Sequence, residues 1–230
     1  LPCKVVFAIK RSHRKEKPAR FGRLLAFHQI PGVGASPTPQ IALMDSALLM
    51  SNPIKIIVAD IDGCVTAGGR KPIDLDMLRQ LADWNESSRR DPAVPSIVFN
   101  TGRPLPYIVA LKQTVGAYLP SIAEFGAVIW HPAEQLHYVH PAYTPEHRKT
   151  YNELLADAEE MFPDPDNGVL IEAGKLCQLT LYPRPPMTPD DLWESIAGLR
   201  EKWKDHFAID KTVAVINFMP HDVNKGSALE

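Results

Sequence analysis

The sequence predicts an α/β protein with a doubly wound parallel sheet, into which a smaller α+β unit is inserted. Short apolar, β-branched runs alternate with helical patterns, as in parallel sheets that are covered on both faces. The first of these runs, Ile54–Ala59, ends in two carboxylates, Asp60 and Asp62. The alternation stops near His131, where helix and strand patterns follow one another in a different order. These observations indicate a two-part protein with polar residues at one edge of its sheet.

Composition is ordinary for a globular protein of one large or two modest domains, with 230 residues, 45% hydrophobic and 23% charged. Apolar runs all fall short of the ~18 residues that a membrane-spanning helix needs, so no membrane partner is expected. The scattered Cys3, Cys64 and Cys177 favour a reducing, cytoplasmic setting over a disulfide framework or a zinc site. Monomer and homodimer both remain open.

Residues 1–50 differ in character from the rest of the chain. They hold eight Lys or Arg against Glu16 and Asp45, and they lack sustained periodicity. We interpret them as a poorly ordered extension that contains Pro and Gly, with Met50 as a natural start of the functional protein. A basic arm for nucleic acid or a targeting peptide is the alternative. Stacking aromatics do not interleave with these charges, so no nucleic-acid partner is expected.

Residues 51–131 are predicted to form the first part of the core. The expected elements are a strand Ile54–Ala59, a helix from Asp74 to about Ser88, a strand Ser96–Asn100, a helix from Pro104 to about Val115, and strands Ser121–Ala123 and Ala127–Trp130. Asp74 is a good N-cap, and Pro104 suits the first turn of a helix.

Residues 132–217 are predicted to form the α+β unit, and residues 218–230 to return to the core. The expected elements are a helix from Pro145 to about Phe162, a hairpin of Val169–Glu172 and Leu176–Tyr182, a helix after Thr188 that buries Leu192, Ile196, Leu199 and Trp203, and a strand from Thr212 to Met219. Thr188 followed by Pro189 combines an N-cap with a favourable first helical residue.

Asp60 and Asp62 are the candidate catalytic pair. Side chains at i and i+2 of a strand share a face, and open α/β sheets bind their ligands at the carboxyl ends of the strands. Two carboxylates directed at one point repel each other unless a cation or a proton lies between them. The pair therefore indicates a metal-assisted site.

Further candidate residues follow along the chain. Thr101, Gly102 and Arg103 come after the second strand, and Lys225 comes after the inserted unit. These parts suit phosphoryl transfer. One carboxylate can attack phosphorus and a second can exchange protons, while Mg²⁺ offsets the repulsion between carboxylate and phosphate. A hydroxyl, backbone N–H groups and a lysine can stabilise the phosphate oxygens, which glycines such as Gly63 and Gly102 let the backbone approach closely.

In this order the motifs resemble those of the haloacid dehalogenase (HAD) superfamily of phosphatases, over about residues 54–230. The segment Asp60–Gly63 resembles the first motif, Thr101 the second and Lys225 the third. Glu124–Ala127 is similar to the Glu-Asn-Gly-Ala of the Cof-like branch, class IIB, although Phe125 replaces the Asn. The resemblance implies a Rossmann-like core with an α+β cap between the second and third motifs.

The resemblance also implies roles for individual residues. Asp60 would be the nucleophile that forms an aspartyl-phosphate, and Asp62 the general acid and base. Asp60 and the backbone carbonyl of Asp62 would bind Mg²⁺. The phosphate would be held by Gly63, Thr101, Gly102 and Lys225, and the further candidates for substrate contact are Arg103, Glu124, Glu172 and Lys175.

The implied substrates are small phosphate esters, with sugar phosphates of the sucrose-phosphate or mannosyl-phosphoglycerate kind first and phosphoglycolate next. The fourth motif of the family, a Gly-Asp followed by another acid, would lie beyond Glu230, so the chain is expected to be truncated before it. A non-catalytic binding protein that kept the cap is the main alternative. A signalling receiver domain is another, because it also arranges an acidic pair, a Thr and a Lys around an aspartyl-phosphate.

Overall fold

The computed structural model describes residues 5–8, 25–26, 54–68, 71–164 and 168–229. Most of residues 1–50, and with them the prediction of a poorly ordered extension, lie outside the described residues. The chain forms two compact units: the first contains Leu1–Phe99 and Gln113–Leu119, and the second contains Asn100–Lys112 and Pro120–Glu230. The predicted domain boundaries at 131 and 217 stay predictions.

The first unit contains a four-stranded sheet in the order β2-β1-β3-β4. Its strands are β1 (Val5–Ala8), β2 (Leu25–Ala26), β3 (Ile56–Ala59) and β4 (Ser96–Phe99). The predicted pair β3 and β4 is parallel, and its register places Ala59 opposite Phe99. Strand β1 pairs antiparallel with both β2 and β3. The sequence did not predict β1 or β2, because both lie in the segment that lacks periodicity.

Helix α1 (Leu75–Arg90) makes the crossover between the two parallel strands. It begins after Asp74 as predicted, because the Asp74 carboxylate accepts the N–H groups of Asp76 at 2.9 Å and Met77 at 3.3 Å. Its buried Asn85 donates to the carbonyl of Val115 at 2.8 Å. The helix therefore contributes polar as well as apolar contacts to the first unit.

Helix α2 (Leu105–Val115) is followed by β5 (Ser121–Ala123), β6 (Val128–His131) and β7 (Leu136–Val139). These three strands pair antiparallel. Both β5 and β6 were predicted as strands, without a prediction of how they pair with each other. Only the 3₁₀ turn Glu124–Gly126 and Ala127 separate β5 from β6, and a connection this short permits a hairpin but no crossover. Asn100 makes a parallel bridge with Ile122.

The rest of the second unit is an antiparallel sheet, in the order β10-β11-β9-β8, packed against helices. Its elements are α3 (Pro145–Met161), β8 (Val169–Ile171), β9 (Leu179–Pro183), α4 (Pro189–Ser195), α5 (Ala197–Trp203), β10 (Phe207–Lys211) and β11 (Ile216–Pro220). This is the predicted order of helix, hairpin, helix and strand with one strand added, since β10 was not predicted. The helix predicted after Thr188 is divided into α4 and α5 at Ile196.

The core of this sheet lies on one face. Leu179 and Leu181 of β9 and Phe218 of β11 pack there against the helices. The predicted apolar helix positions Leu192, Ile196, Leu199 and Trp203 are all buried in it. Alternation along the strands places Thr180 and Asn217 on the opposite face, where both are buried too. In the part of the chain that is described, every helix is too short or too polar to cross a membrane.

Candidate active site

Asp60 and Asp62 lie directly after β3, in the first unit. Ile61 between them is fully buried, Asp60 is partly buried and Asp62 is exposed. The Ile61 carbonyl accepts the N–H groups of Val65 and Thr66, both at 2.9 Å, and Gly63 N–H donates to the Thr66 carbonyl at 2.8 Å. The loop is therefore folded back on itself.

The donor chemistry of this loop suits a hard cation. One Asp60 oxygen accepts the N–H of Ile61 at 2.7 Å, and a side chain at Gly68 would lie 3.3 Å from an Asp62 carboxylate oxygen. Among the residues that are described, no three His, Cys, Asp or Glu side chains form a metal-binding group. Mg²⁺ keeps several waters and is commonly bound by one or two carboxylates together with substrate phosphate. The Asp60 carboxylate and the backbone carbonyl of Asp62 in this loop fit that mode of binding.

The loop Thr101–Arg103 is the first segment of the second unit that carries predicted site residues. Thr101 is fully buried, and its N–H donates to the Ile122 carbonyl at 3.0 Å. Its hydroxyl accepts the N–H of Arg103 at 3.2 Å. At Gly102 a Cβ atom would lie 2.4 Å from the ring of Phe125. A larger residue at this position would therefore force the Phe125 ring to shift.

The turn Glu124–Gly126 packs beside this loop. Glu124 and Phe125 both adopt left-handed backbone conformations, with φ of 51° and 54°, and Gly126 has φ of 114°. Residues with a Cβ atom seldom adopt such angles, and two in succession are costly. Phe125 N–H donates to the Thr101 carbonyl at 3.0 Å, and Glu124 N–H donates to the Arg103 carbonyl at 3.1 Å. These bonds hold the strained turn in place.

The Glu124 carboxylate is 1% exposed and is directed at the loop between β8 and β9, Glu172–Gln178, which we call the hairpin loop. It accepts the N–H of Leu176 at 3.0 Å and the N–H of Cys177 at 2.9 Å. The pKa of Glu124 is raised, because burial outweighs the Lys175 ammonium and these two N–H donors, which lower it. Since both oxygens accept hydrogen bonds from N–H groups, the geometry suits the ionised form.

Three further charged residues form a buried cluster beside Glu124. The Glu172 carboxylate lies 3.6 Å from the Arg103 guanidinium and 3.2 Å from the Lys175 ammonium. Lys175, whose side chain is 2% exposed, also donates to the carbonyl of Gly102. Burial lowers the pKa of Lys175, and the charges of Glu172 and Glu124 oppose that shift. The cluster brings together four of the candidates for substrate contact.

Lys225 belongs to a loop before the short 3₁₀ helix Ser227–Leu229. Asn100 donates to its carbonyl at 2.9 Å, and its ammonium lies 5.5 Å from the centre of the Phe125 ring. A Cβ atom at Gly126 would lie only 2.2 Å from the Asn224 carbonyl oxygen. The Glu124–Gly126 turn is therefore in close contact with the Lys225 loop as well as with the Thr101–Arg103 loop.

A cavity of about 330 Å³ opens within the second unit. Its lining includes Phe125, Lys225, Ala208 and Met219. Alternation places Met219 on the same face of the sheet as Asn217. The cavity thus joins the Lys225 loop to the polar face of this sheet.

The structure places the predicted site residues in both units. Asp60, Asp62 and Gly63 lie in the first unit, and the second unit holds Thr101, Gly102, Arg103, Glu124, Glu172, Lys175 and Lys225. Gln178, which flanks the hairpin and is a further plausible specificity residue from the sequence, is fully buried and donates to the Gly102 carbonyl at 3.1 Å. Sequence reasoning missed Asn100, although a polar residue that ends an apolar strand next to Thr101 was an available signal.

Comparison with known proteins finds similar solved structures. No family model matches the sequence, and no curated protein matches it. A trehalose-6-phosphate phosphatase related protein superposes with a TM-score of 0.55 at 18% identity, covering 76% of this chain and 71% of that one. The C-terminal domain of the C. albicans trehalose-6-phosphate phosphatase gives 0.54 at 21% identity, covering 75% and 59%. A HAD/Cof-like hydrolase from Plasmodium vivax gives 0.54 at 14% identity, covering 80% and 74%.

At these identities the likeness is one of fold. The chain spans somewhat over half the length of the C. albicans domain and about three quarters of the Plasmodium vivax hydrolase. The Cof-like branch and the truncation before a fourth motif stay predictions. The predicted fold class is confirmed: the chain has the α/β fold, with an α+β cap, of the haloacid dehalogenase-like hydrolases.

Proposed function

We propose that this chain is a Mg²⁺-dependent phosphatase that hydrolyses a small phosphate ester, with a sugar phosphate as the preferred class. The observation that carries the proposal is the position of Asp60 and Asp62. They follow a strand that is parallel and in register with its neighbour β4, in a chain that shares its fold with phosphatases.

In this proposal the two carboxylates have different tasks. An Asp60 oxygen attacks phosphorus and the bond to the leaving oxygen breaks, which leaves an aspartyl-phosphate. Asp62 gives its proton to the leaving oxygen and then, as a carboxylate, takes a proton from the water that attacks phosphorus. The water oxygen displaces Asp60, inorganic phosphate leaves, and both carboxyl groups return to their first state. The exposure of Asp62 suits a group that exchanges protons with solvent.

Asp60 and the backbone carbonyl of Asp62 would hold Mg²⁺, which supplies positive charge that offsets the repulsion between carboxylate and phosphate. By the resemblance of the motifs, the proposed phosphate-binding residues are Gly63, Thr101, Gly102 and Lys225. Burial and the bonds to Ile122 and Arg103 hold Thr101 in place. The Lys225 ammonium would supply a further charge to the phosphate oxygens.

A hydroxyl-rich leaving group is favoured by the second unit. Among the described residues, Gln178 Oε1 and Asn217 Nδ2 are buried without a hydrogen-bond partner, so this unit holds one unused acceptor and one unused donor. Arg103, Glu172 and Lys175 add charged groups that can bond to hydroxyls. Two of the structural neighbours carry the name trehalose-6-phosphate phosphatase, which supports a sugar phosphate over phosphoglycolate.

The receiver-domain alternative fits less well, because it expects one compact α/β domain, whereas the second unit contains an antiparallel sheet with its own core. A non-catalytic binding protein is an outcome of the experiment below. A cytoplasmic setting and a monomeric or homodimeric state stay predictions.

Phosphate release from sugar phosphates, phosphoglycolate and an aryl phosphate tests the proposal, with and without Mg²⁺. We expect Mg²⁺-dependent turnover that Asp60→Asn reduces by at least about 10⁴-fold, since the amide cannot act as nucleophile. Asp83→Asn, at an exposed position of α1, is the matched control and should keep full activity. A folded chain that binds a sugar phosphate but releases no phosphate would make this a binding protein.

A further inference from the structure

Glu124 connects two segments that carry candidate substrate residues, the Thr101–Arg103 loop and the hairpin loop. Its own N–H donates to the Arg103 carbonyl. Its carboxylate accepts the N–H groups of Leu176 at 3.0 Å and Cys177 at 2.9 Å. Both carboxylate oxygens thus bond to backbone amides of the chain itself, and the residue is 1% exposed. A substrate would have to displace these amides in order to reach the carboxylate.

The backbone at Glu124 is strained in a way that serves this contact. Glu124 and Phe125 share the left-handed conformation, which a residue with a Cβ atom adopts only when its surroundings compensate the cost. Here the compensation comes from the bonds to Thr101, Arg103, Leu176 and Cys177. The turn therefore directs the side chain of Glu124 at the hairpin loop instead of the solvent.

This arrangement fixes the position of Lys175. Its backbone carbonyl accepts the hydroxyl of Tyr151 at 3.2 Å, and the next two residues along the chain donate to Glu124. Its ammonium is thereby held beside Glu172 and the Gly102 carbonyl. A long, flexible side chain keeps one geometry only if the backbone at its base is fixed.

We propose that Glu124 is a positioning residue, which fixes the hairpin loop on the Thr101–Arg103 loop and so sets the position of Lys175 for the leaving group of the substrate. The anchoring itself is independent of the activity, whereas the effect on a leaving group rests on the proposed function. Glu124 then acts through Lys175 and does not touch the substrate.

Amide hydrogen exchange tests the anchoring without any substrate. In Glu124→Gln the amide has one acceptor oxygen in place of two, and its NH₂ group opposes the N–H donors. Exchange at Leu176 and Cys177 should speed up by about tenfold or more. The control Glu160→Gln, at an exposed position of α3, should leave both rates unchanged. Equal rates in the unsubstituted chain and Glu124→Gln would overturn the proposal.

Two further measurements complete the test. If Glu124→Gln does not fold, slow exchange of Leu176 and Cys177 in the unsubstituted chain supports the anchoring, and unprotected exchange overturns it.

Where the chain hydrolyses phosphate esters, Glu124→Gln should raise KM for a sugar phosphate about tenfold while kcat stays within about twofold. The KM and kcat for an aryl phosphate should not change. Partial unfolding would lower the apparent kcat and leave KM unaltered. An unchanged sugar-phosphate KM with faster amide exchange would reject the effect on the leaving group, and an inactive chain would leave the exchange result standing.

Discussion

The Asp60–Gly63 loop of the first unit and the charged cluster of the second unit use ionisable residues in opposite ways. Asp62 is exposed at the end of a strand, and the loop is held by backbone bonds around Ile61. Glu124 and Lys175 are almost fully buried, and their charges are satisfied by backbone groups and by Glu172. The first arrangement leaves carboxylates accessible to a cation and a substrate. The second makes charge part of the internal packing, so its members are needed for folding as well as for any contact with a ligand.

The largest effect should come from the turn that joins the loops of the second unit. Gly126→Ala places a methyl group 2.2 Å from the Asn224 carbonyl oxygen at a φ of 114°, and we expect a loss of about 3 kcal/mol or more of stability. Gly116→Ala, in the first unit, also has a positive φ, of 63°, but nothing lies within 4 Å of the new atom. It should cost about 1 kcal/mol. Urea denaturation of both variants measures the difference, and similar losses would contradict the close approach.

The second largest effect should come from removing the buried carboxylate of Glu124, in comparison with the exposed carboxylate of Asp62. Glu124→Ala leaves the Leu176 and Cys177 amides without their acceptor and removes one counter-charge of Lys175. We expect a loss of about 3 kcal/mol. Asp62→Ala removes an exposed carboxylate and should change the free energy of unfolding by no more than about 0.5 kcal/mol. Equal losses in denaturation curves would mean that the two regions do not differ in the way described above.

The smallest effect should come from Lys112, a buried cation of the second unit. Lys112 of α2 is 3% exposed and donates to the Ser121 hydroxyl at 2.9 Å. Burial lowers its pKa from 10.5 to about 8. Between these values the unfolded chain binds more protons than the folded chain, so stability should rise with pH.

Lys112→Met should remove this rise and increase stability at neutral pH, because it no longer buries a charge. Lys149→Met, at an exposed position of α3, is the control and should keep the pH dependence. Unfolding curves at several pH values between 7 and 11 measure how the stability of each variant depends on pH. A slope that survives in Lys112→Met would assign it to other groups.

Much of the fold follows from local patterns. The Asp74 cap, the parallel pair β3 and β4, and the helix with the buried Leu192 and Trp203 were all predicted, because each depends on residues close in sequence. Strand β10 was not predicted, since its pairing with β11 decides its conformation more than its own pattern does. The antiparallel pairing of β5 and β6 was not predicted either, and it follows from the short connection at Glu124–Gly126.

The sequence by itself determined which residues can do chemistry: two carboxylates after a strand, a threonine and a glycine after the next, and a lysine after an inserted unit. Spacing and residue type are enough for that, because strand alternation and the carboxyl edge of a sheet are local properties. Only the tertiary structure decided that Glu124 bonds to Leu176 and Cys177, and that Lys175 is held against Gly102. These contacts join segments about fifty or more residues apart, and burial between them depends on how the hairpin loop packs, which no local pattern encodes.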